Sequence, residues 1–137
     1  GSDTPAKPPA ALRGAREAAR RIAVAADERD VPVRMYVDSL RQKIERTAAQ
    51  IQMRVAPAPA RYDPLVSVAV RSDGSIDEVV ILRSSGRPDT DEAIRRIVHL
   101  NARYAAFPPN VAARFDVIEI RRIWTFAENL KLLEEVR

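Results

Sequence analysis

One short stretch of this chain places hydroxyl groups where a nucleophile could act. Ser84-Ser85-Gly86 lies between a predicted strand and a predicted helix, a junction where some hydrolases expose a catalytic serine. The pattern G-x-S-x-G is absent, and no histidine is placed to activate either hydroxyl. We therefore interpret this stretch as a loop that satisfies backbone groups and frees the chain to turn at Gly86.

The other candidates for chemistry are an acidic cluster and the single histidine. Asp89, Asp91 and Glu92 lie within one helical turn, where favourable interaction with the helix dipole accounts for them. Glycosidase or acidic-protease chemistry needs two carboxylates that converge on a cleft. His99 stands among arginines that would repel a metal, so we interpret it as a surface histidine. The sequence thus predicts no catalytic residue, no metal site and no cofactor, and we do not expect an enzyme.

A basic face is the remaining polar feature. It consists of Arg95, Arg96, His99 and Arg103 on one predicted helix. Such a face could bind an anionic partner, although a solvated helix face is the ordinary interpretation. The whole chain carries 23 Lys and Arg against 19 Asp and Glu, a net charge of +4. This modest excess, with both signs interspersed, favours solubility over nucleic-acid binding.

The composition indicates one small domain. A chain of 137 residues has the length of one domain, and the absence of cysteine excludes disulfides, thiolate catalysis and cysteine-based zinc sites. No apolar run is long enough to cross a bilayer, and no signal peptide is present. Gly1-Ser2 is typical of a cloning scar, so we expect a fragment whose anchor or targeting segment lies upstream.

The composition also divides the chain into four parts. Residues 1–10 combine the scar with the end of a proline-rich linker. Residues 11–31 are rich in alanine and arginine and carry a thin apolar stripe, which predicts a marginal helix. Residues 32–128 carry the regular patterns of a folded domain. Residues 129–137 (NLKLLEEVR) predict a short C-terminal helix that packs its leucines.

The first half of the folded part predicts one helix and a hairpin. Apolar residues recur every three or four positions from Val33 to Met53, which indicates an amphipathic helix. Strands are predicted over Leu65–Arg71 and Ile76–Arg83, joined at Asp73-Gly74 by a two-residue type I′ turn. The register of that turn places five apolar residues on one face, which we assign to the helices: Val66, Val68, Val70, Val79 and Ile81.

The second half predicts a helix followed by a long strand. The helix extends from about Thr90 to Arg103, with Asp89 as its N-cap and Glu92 as the reciprocal cap. The strand extends over Phe115–Phe126 and directs its Trp and Phe side chains to the core. The patterns together predict an α+β domain. Its three-stranded antiparallel sheet carries helices mainly on one face, in the order α-β-β-α-β.

This order of elements resembles the periplasmic C-terminal domain of TonB-type energy transducers. The matching stretches are Tyr36-Val37-Asp38-Ser39-Leu40 with Lys43-Ile44, residues 68–75 (VAVRSDGS), Arg83-Ser84-Ser85-Gly86, Asp91-Glu92-Ala93, Ala106-Phe107-Pro108-Pro109 and residues 120–126 (IRRIWTF). They extend from about Val33 to Phe126. No single stretch is diagnostic, but their order and spacing together are specific.

The resemblance implies docking to an outer-membrane transporter. Such domains bind the TonB box, a short segment at the transporter's N-terminus, which adds as a strand beside the last strand of the domain. The implied docking residues are Val117, Ile118, Glu119, Ile120, Arg121, Arg122, Ile123, Trp124 and Thr125, with Tyr62 and Pro64 before the first strand. Many members carry Tyr-Pro directly in that position, whereas here Asp63 separates the two residues.

The last strand is thus expected to present an open edge. Side chains of Glu119, Arg121 and Ile123 would tune selectivity, and a proline at Arg121 should weaken docking because it removes a ladder donor. Arg121 and Arg122 interrupt an apolar strand, and they either discourage edge aggregation or meet acidic groups on a partner strand. Two segments outside the family pattern, the helix before Val31 and the C-terminal tail, are candidates to cover this edge.

The resemblance also implies a location and further partners. TonB-type proteins are anchored in the inner membrane by one N-terminal helix and hold this domain in the periplasm. They draw on the proton gradient through partners such as ExbB and ExbD, for uptake of iron-siderophores, haem or cobalamin. Peptidoglycan and a second copy of the chain are further candidate partners, whereas nucleic acid is not expected.

Three other functions stay open at this point. A TolA-like domain would serve envelope integrity through a TolB-type partner. A basic RNA-binding module would bind RNA in a salt-sensitive way, although the strands lack the aromatic stacking platform of such sheets. A hydrolase would show turnover that is lost in Ser85→Ala.

Overall fold

The computed structural model describes residues 20–24, 28–50, 62–126 and 129–135. The elements are β1 (Arg21–Val24), α1 (Val31–Gln50), β2 (Leu65–Arg71), β3 (Ile76–Arg83), α2 (Pro88–Leu100), α3 (Pro109–Ala112), β4 (Val117–Phe126) and β5 (Leu130–Leu133). They form an α+β fold, in which a five-stranded mixed sheet packs its valine-rich face against the helices.

The strands predicted from the sequence form the centre of this sheet. β2 pairs antiparallel with β3 on one side and with β4 on the other. Two short strands lie beyond β4, β1 running parallel to it and β5 antiparallel. The α+β class and the antiparallel β3-β2-β4 unit are therefore confirmed. The prediction of a three-stranded, fully antiparallel sheet is wrong, since the described residues form five strands.

The helix α1 follows from its apolar spacing. One side of it is buried, formed by Val33, Tyr36, Val37, Leu40, Ile44 and Ala48. Pro32 lies in the first turn, where a missing N–H breaks no helical hydrogen bond. The helix begins at Val31, where the Val31-Pro32 break in the sequence indicates a helix start, and residues 51–61 beyond its end lie outside the described residues.

The turn between β2 and β3 differs from the predicted two-residue loop. The Arg71 carbonyl accepts a hydrogen bond from the Gly74 N–H at 2.8 Å, and the Arg71 N–H donates to the Ser75 carbonyl at 2.8 Å. Ser72-Asp73 therefore occupies the centre of the turn, and Gly74 follows it with a φ of 88°. This is the three-residue hairpin loop that ends in a glycine bulge.

The predicted register survives beyond this bulge. Two pairs lie as expected, Val66 opposite Ile81 and Val68 opposite Val79. Val70, however, lies opposite Ile76 rather than Asp77, because the register shifts by one residue between Ala69 and Val70. The three β2 valines are buried and Val79 and Ile81 pack against the core, so the predicted core face is confirmed.

The start of α2 also differs from the prediction. The N-cap is Arg87, with an extended backbone and no side-chain hydrogen bond to the helix end. Asp89 therefore lies inside the first turn, and the predicted capping role for Asp89 and Glu92 is wrong. Pro88 explains the earlier start, because its fixed φ suits the first helical position.

The segment predicted as a marginal N-terminal helix contains a strand. Arg21–Val24 forms β1 and buries Val24, while residues 11–19 and 25–27 of that segment lie outside the described residues. Ala23 is exposed and Ile22 is partly buried against the core, an alternation with the strand period of two. For Arg21–Val24 the helix prediction is therefore wrong.

The C-terminal tail is a strand as well. Leu130 and Leu132 are buried, whereas Leu133 is 47% exposed. A helix would have placed Leu130 and Leu133 on the same side, so the burial follows the period of a strand. The Leu132 N–H donates to Glu45 Oε2 of α1 at 2.8 Å, which fixes β5 against that helix.

The centre of the core lies on β4. Trp124 and Ile118 are fully buried, and Ile120 is nearly so, all on the face that the sequence assigned to the core. Tyr36 of α1 contacts Phe107 edge-on at 5.0 Å between ring centroids, and its hydroxyl donates to the Ala105 carbonyl at 2.6 Å. The aromatic residues thus tie α1 and the segment after α2 to one side of the sheet.

Gly74 joins the hairpin to that same segment. Its carbonyl accepts a hydrogen bond from the Tyr104 N–H at 2.8 Å. A Cβ atom on Gly74 would lie 1.9 Å from the Tyr104 carbonyl oxygen, far inside van der Waals contact. The position therefore requires glycine for two reasons, the positive φ and the close approach of a second backbone.

Replacing Gly74 by alanine should lower the free energy of unfolding by at least about 2 kcal/mol, measured by urea denaturation. The matched variant is Gly74→Asn, because asparagine tolerates a positive φ but adds the same Cβ. Both variants should lose similar stability if the contact with Tyr104 dominates. A Gly74→Asn protein as stable as the original would contradict the backbone clash.

Candidate docking edge

The strand assigned to docking, β4, is not an edge strand. One side of it pairs with β2 along residues 117–123. On the other side, β1 covers residues 117–120 and β5 covers residues 123–126. On this second side, Arg121 and Arg122 lie in the gap between β1 and β5 and pair with neither strand. The expectation of an open edge is therefore wrong, and both segments that were candidates to cover it do so.

The start of β1 is held by an ion pair with the residue before β4. Arg20 donates from its backbone N–H to Asp116 Oδ2 at 2.9 Å and from Nη2 to Oδ1 at 2.8 Å. The Arg20 carbonyl accepts from the Asp116 N–H at 2.7 Å, and Arg20 Nη1 donates to the Ala113 carbonyl at 2.6 Å. The hydrogen bonds from Arg20 lower the pKa of Asp116 to about 2.

The next residue of β1 contacts a predicted docking residue. Arg21 Nη2 donates to Glu119 Oε2 at 2.7 Å and lies 3.4 Å from an oxygen of Asp77. Glu119 was expected to face a partner strand, and in this structure it faces the chain's own arginine. The hydrogen bond to Glu119 is also the main reason that the pKa of Arg21 is raised.

Arg121 and Ile123, at the other end of the predicted docking strand, also contact flanking segments of the same chain. Arg121 pairs with Glu135 at 3.2 Å, and Ile123 lies opposite Leu133. All three side chains predicted to tune selectivity are therefore in contact with, or opposite, flanking segments of the same chain. Arg121 also lies opposite Ser67 of β2, so a proline there would break the interior of the sheet. That substitution therefore cannot serve as a selective test of docking.

The other predicted docking residues divide into two groups. Ile118, Ile120 and Trp124 are buried in the core, so a partner strand could meet them only through their backbone. Pro64 is also fully buried, and its carbonyl accepts from the Trp124 N–H at 2.9 Å. Tyr62 is exposed, with its N–H donated to the Ser85 carbonyl at 3.1 Å.

The sequence did not reveal that β1 lies along β4. Arg20 and Arg21 supply its ion pairs, and Val24 supplies its buried apolar contact. The alternation of Ile22 and Val24 with Ala23 was the available signal. It is only four residues long, and it lay inside a segment whose alanines favour a helix.

The residues first considered for catalysis form a structural cluster. Ser85 is fully buried and donates from Oγ to Asp91 Oδ1 at 2.7 Å, while Ser84 donates to the other oxygen of Asp91. Burial alone would raise the pKa of Asp91, but the hydrogen bonds from both serines outweigh it and lower that pKa. His99 is exposed on α2 and bonds to neither serine. Among the described residues, no group of three or more acidic or histidine side chains could hold a metal.

The described residues thus form an α+β domain whose long strand β4 pairs on both sides with strands of the same chain. A family profile described as TonB C terminal matches residues 33–121, more than half of the chain. The chain belongs to the TonB C-terminal family, which confirms the resemblance seen in the sequence. Comparisons with curated proteins and with solved structures gave no match.

Family membership gives the general function. TonB C-terminal domains are non-enzymatic, periplasmic domains of energy transduction and interact with outer-membrane transporters. Within the described ranges, no helix combines the length and apolarity that a membrane crossing requires. Both β1 and β5 lie outside the matched residues, as do residues 122–126 of β4.

The ion pair between Arg20 and Asp116 predicts a pH dependence of β1. A carboxyl group whose pKa falls on folding, here from 3.8 to about 2, stabilises the folded form above pH 3.8. That stabilisation is lost as the pH falls from 3.8 towards 2. We expect amide exchange at Ile22 and Val24 to accelerate over this range relative to amides of β2.

The variant Asp116→Asn should exchange rapidly at β1 already at pH 5 and should show no acceleration specific to that strand on acidification. The matched control is Asp89→Asn, which removes an exposed acid of α2 away from β1. Equal protection of β1 in Asp116→Asn and the original protein would show that this ion pair does not hold the strand.

Proposed function

We propose that this chain is the periplasmic docking domain of a TonB-type energy transducer. In this proposal it binds the N-terminal TonB box of an outer-membrane transporter by strand addition along β4. It would transmit force derived from the proton gradient through ExbB- and ExbD-type partners, for uptake of iron-siderophore, haem or a similar cargo. An N-terminal helix of the full-length protein would anchor it in the inner membrane.

The observation that carries the proposal is the pairing of β1 with β4. A short parallel strand, Arg21–Val24, lies along residues 117–120, and the side chains of Arg20 and Arg21 bond its start to Asp116 and Glu119. The outer side of β4 is thus able to accept a parallel strand. A transporter segment could use the same backbone groups if β1 left them.

Of the two covering strands, β1 is the one expected to leave. It buries one residue, Val24, and the ion pair that holds its start is about half exposed, a setting in which a pair contributes less than a buried contact. β5 buries both Leu130 and Leu132 and is bonded to α1 through Glu45. The proposed docking site is therefore centred on residues 117–122, and Ile123, Trp124 and Thr125 take part only if β5 moves as well.

This competition predicts that weakening β1 strengthens docking. The double variant Arg20→Ala/Arg21→Ala should bind a TonB-box peptide about three- to tenfold more tightly, because less free energy is spent on displacing β1. The measurement is an amide NMR titration with N-terminal peptides of outer-membrane transporters from the same organism. Shifts should follow residues 117–122 and the amides of β1.

The matched control is Arg95→Ala/Arg96→Ala, which removes the same charge from α2 without touching β1. It should leave the affinity within about twofold, apart from general electrostatic effects. Peptide binding that shifts β3 instead of β4 would place docking at the opposite edge of the sheet. An unchanged affinity in Arg20→Ala/Arg21→Ala would contradict displacement of β1, and no binding of any peptide would contradict the proposed function.

A further inference from the structure

A groove of about 630 Å³ lies between α1 and the covered side of β4. Its volume is in the range of sites that bind small molecules or single side chains of a partner. Apolar walls come from Val24 of β1, Val37 of α1 and Leu132 of β5. Met35 and Leu133, which are 67% and 47% exposed, also line it. The groove thus opens where β1 ends and β5 ends, at the gap between the two covering strands.

A buried cation that forms no ion pair within the described residues also lines this groove. Arg122 is only 7% exposed, and no carboxylate of the described residues forms an ion pair with it. Its guanidinium donates from Nη1 to the Arg121 carbonyl at 2.8 Å, while Nε is buried with no acceptor. Burial accordingly lowers the pKa of Arg122. A buried charge left unpaired is unfavourable, which is unusual unless a ligand completes the site.

A second unused donor is found beside Arg122. A small cavity of about 10 Å³ is lined by Arg122, Trp124 and Ile120 among others. The indole Nε1 of Trp124 is buried and has no acceptor. Buried side-chain donors without partners are rare. Here two donors at the same small cavity, Arg122 Nε and Trp124 Nε1, each lack an acceptor oxygen within the described residues.

The remaining charged groups of the groove do not supply that oxygen. Arg41 bonds to Asp38 at 2.7 Å and to Glu45 at 2.9 Å, so these three residues satisfy one another. Glu134 is an exposed carboxylate on the rim, and it acts on Arg122 only as a favourable charge at a distance. Arg34 adds a further exposed positive charge. Within the described residues, the groove therefore contains no anionic acceptor that bonds to Arg122.

We propose that this groove is a carboxylate-binding pocket, in which Arg122 pairs with an acidic side chain of an extended partner segment. The apolar walls favour a protein segment over a free anion, because they would contact the side chains that flank the acid. The choice of a protein segment as the occupant rests on the proposed docking function. The carboxylate site itself rests on Arg122 and the groove.

The direct test compares two capped peptides of alternating valine and threonine that differ only in one central residue, Glu or Gln. The Glu peptide should bind at least about tenfold more tightly, since a charged acceptor at a buried arginine adds a strong hydrogen bond. Trp124 is the only tryptophan and lines the small cavity beside Arg122, so its indole N–H resonance reports on the surroundings of that arginine. This resonance should move with the Glu peptide and stay in place with the Gln peptide.

Variants of the chain test the role of the arginine. Arg122→Met should abolish the preference for Glu over Gln and raise the melting temperature of the free protein, because it removes an unpaired buried charge. Arg122→Lys keeps a cation and should retain part of the preference. Arg96→Gln is the matched control, since it removes an exposed arginine of α2 that lines neither the groove nor β4. Glu134→Gln should strengthen binding of the Glu peptide, because a competing carboxylate is removed.

Equal affinity for the two peptides in the original protein would overturn the pocket, whether or not any variant folds. A preference for Glu that persists in Arg122→Met would also overturn it. Binding of sodium acetate as tight as that of the Glu peptide, or binding of a peptidoglycan stem peptide in its place, would overturn the assignment to a protein segment. If transporter peptides fail to bind while the Glu preference is present, the proposed function fails and the pocket stands.

Discussion

Backbone pairing on both sides of β4 is the constraint on which the rest of the fold depends. On one side, β4 holds the β2–β3 hairpin, and on the other it collects the two ends of the described chain. Its inward face carries Trp124, which lines a small cavity together with Leu40 and Ile44 of α1 and Leu132 of β5. A strand that is paired on both sides can bind a partner strand only if one of its neighbouring strands is displaced. In the proposed function, the short, weakly buried β1 is the neighbour that would be displaced.

The sequence correctly predicted the elements whose apolar patterns are long and depend only on neighbouring residues. The period of α1, the two strands of the hairpin and the Trp face of β4 each repeat over enough residues to fix their type. The predictions that were wrong concern elements whose type depends on only a few residues. β1 offers four residues inside an alanine-rich segment, and the leucines of β5 fit a helix through Leu130 and Leu133 as well as a strand through Leu130 and Leu132. Their strand form depends on pairing with β4, which no local pattern reveals.

The same limit applies to the candidate site. The sequence correctly predicted that β4 is a strand, but not that its residues Glu119 and Arg121 would bond to Arg21 and Glu135 of the same chain. For Arg122 the sequence left two roles open, protection of an edge or contact with an acidic partner. Its burial beside a groove, with donors unused, favours the second, because a residue that discourages aggregation would be expected to stay in water.

The position of β1 at one end of the chain and of its partner near the other affects how the domain assembles. Arg20 and Asp116 are 96 residues apart, so their contact closes one of the longest loops in the molecule, whereas the β2–β3 hairpin closes across a tight turn. During synthesis β1 is made first, yet it has nothing to pair with until β4 has emerged and joined β2. Pairing of β1 therefore covers a side of β4 that is open until β4 has formed, and in the proposed function docking would open that side again.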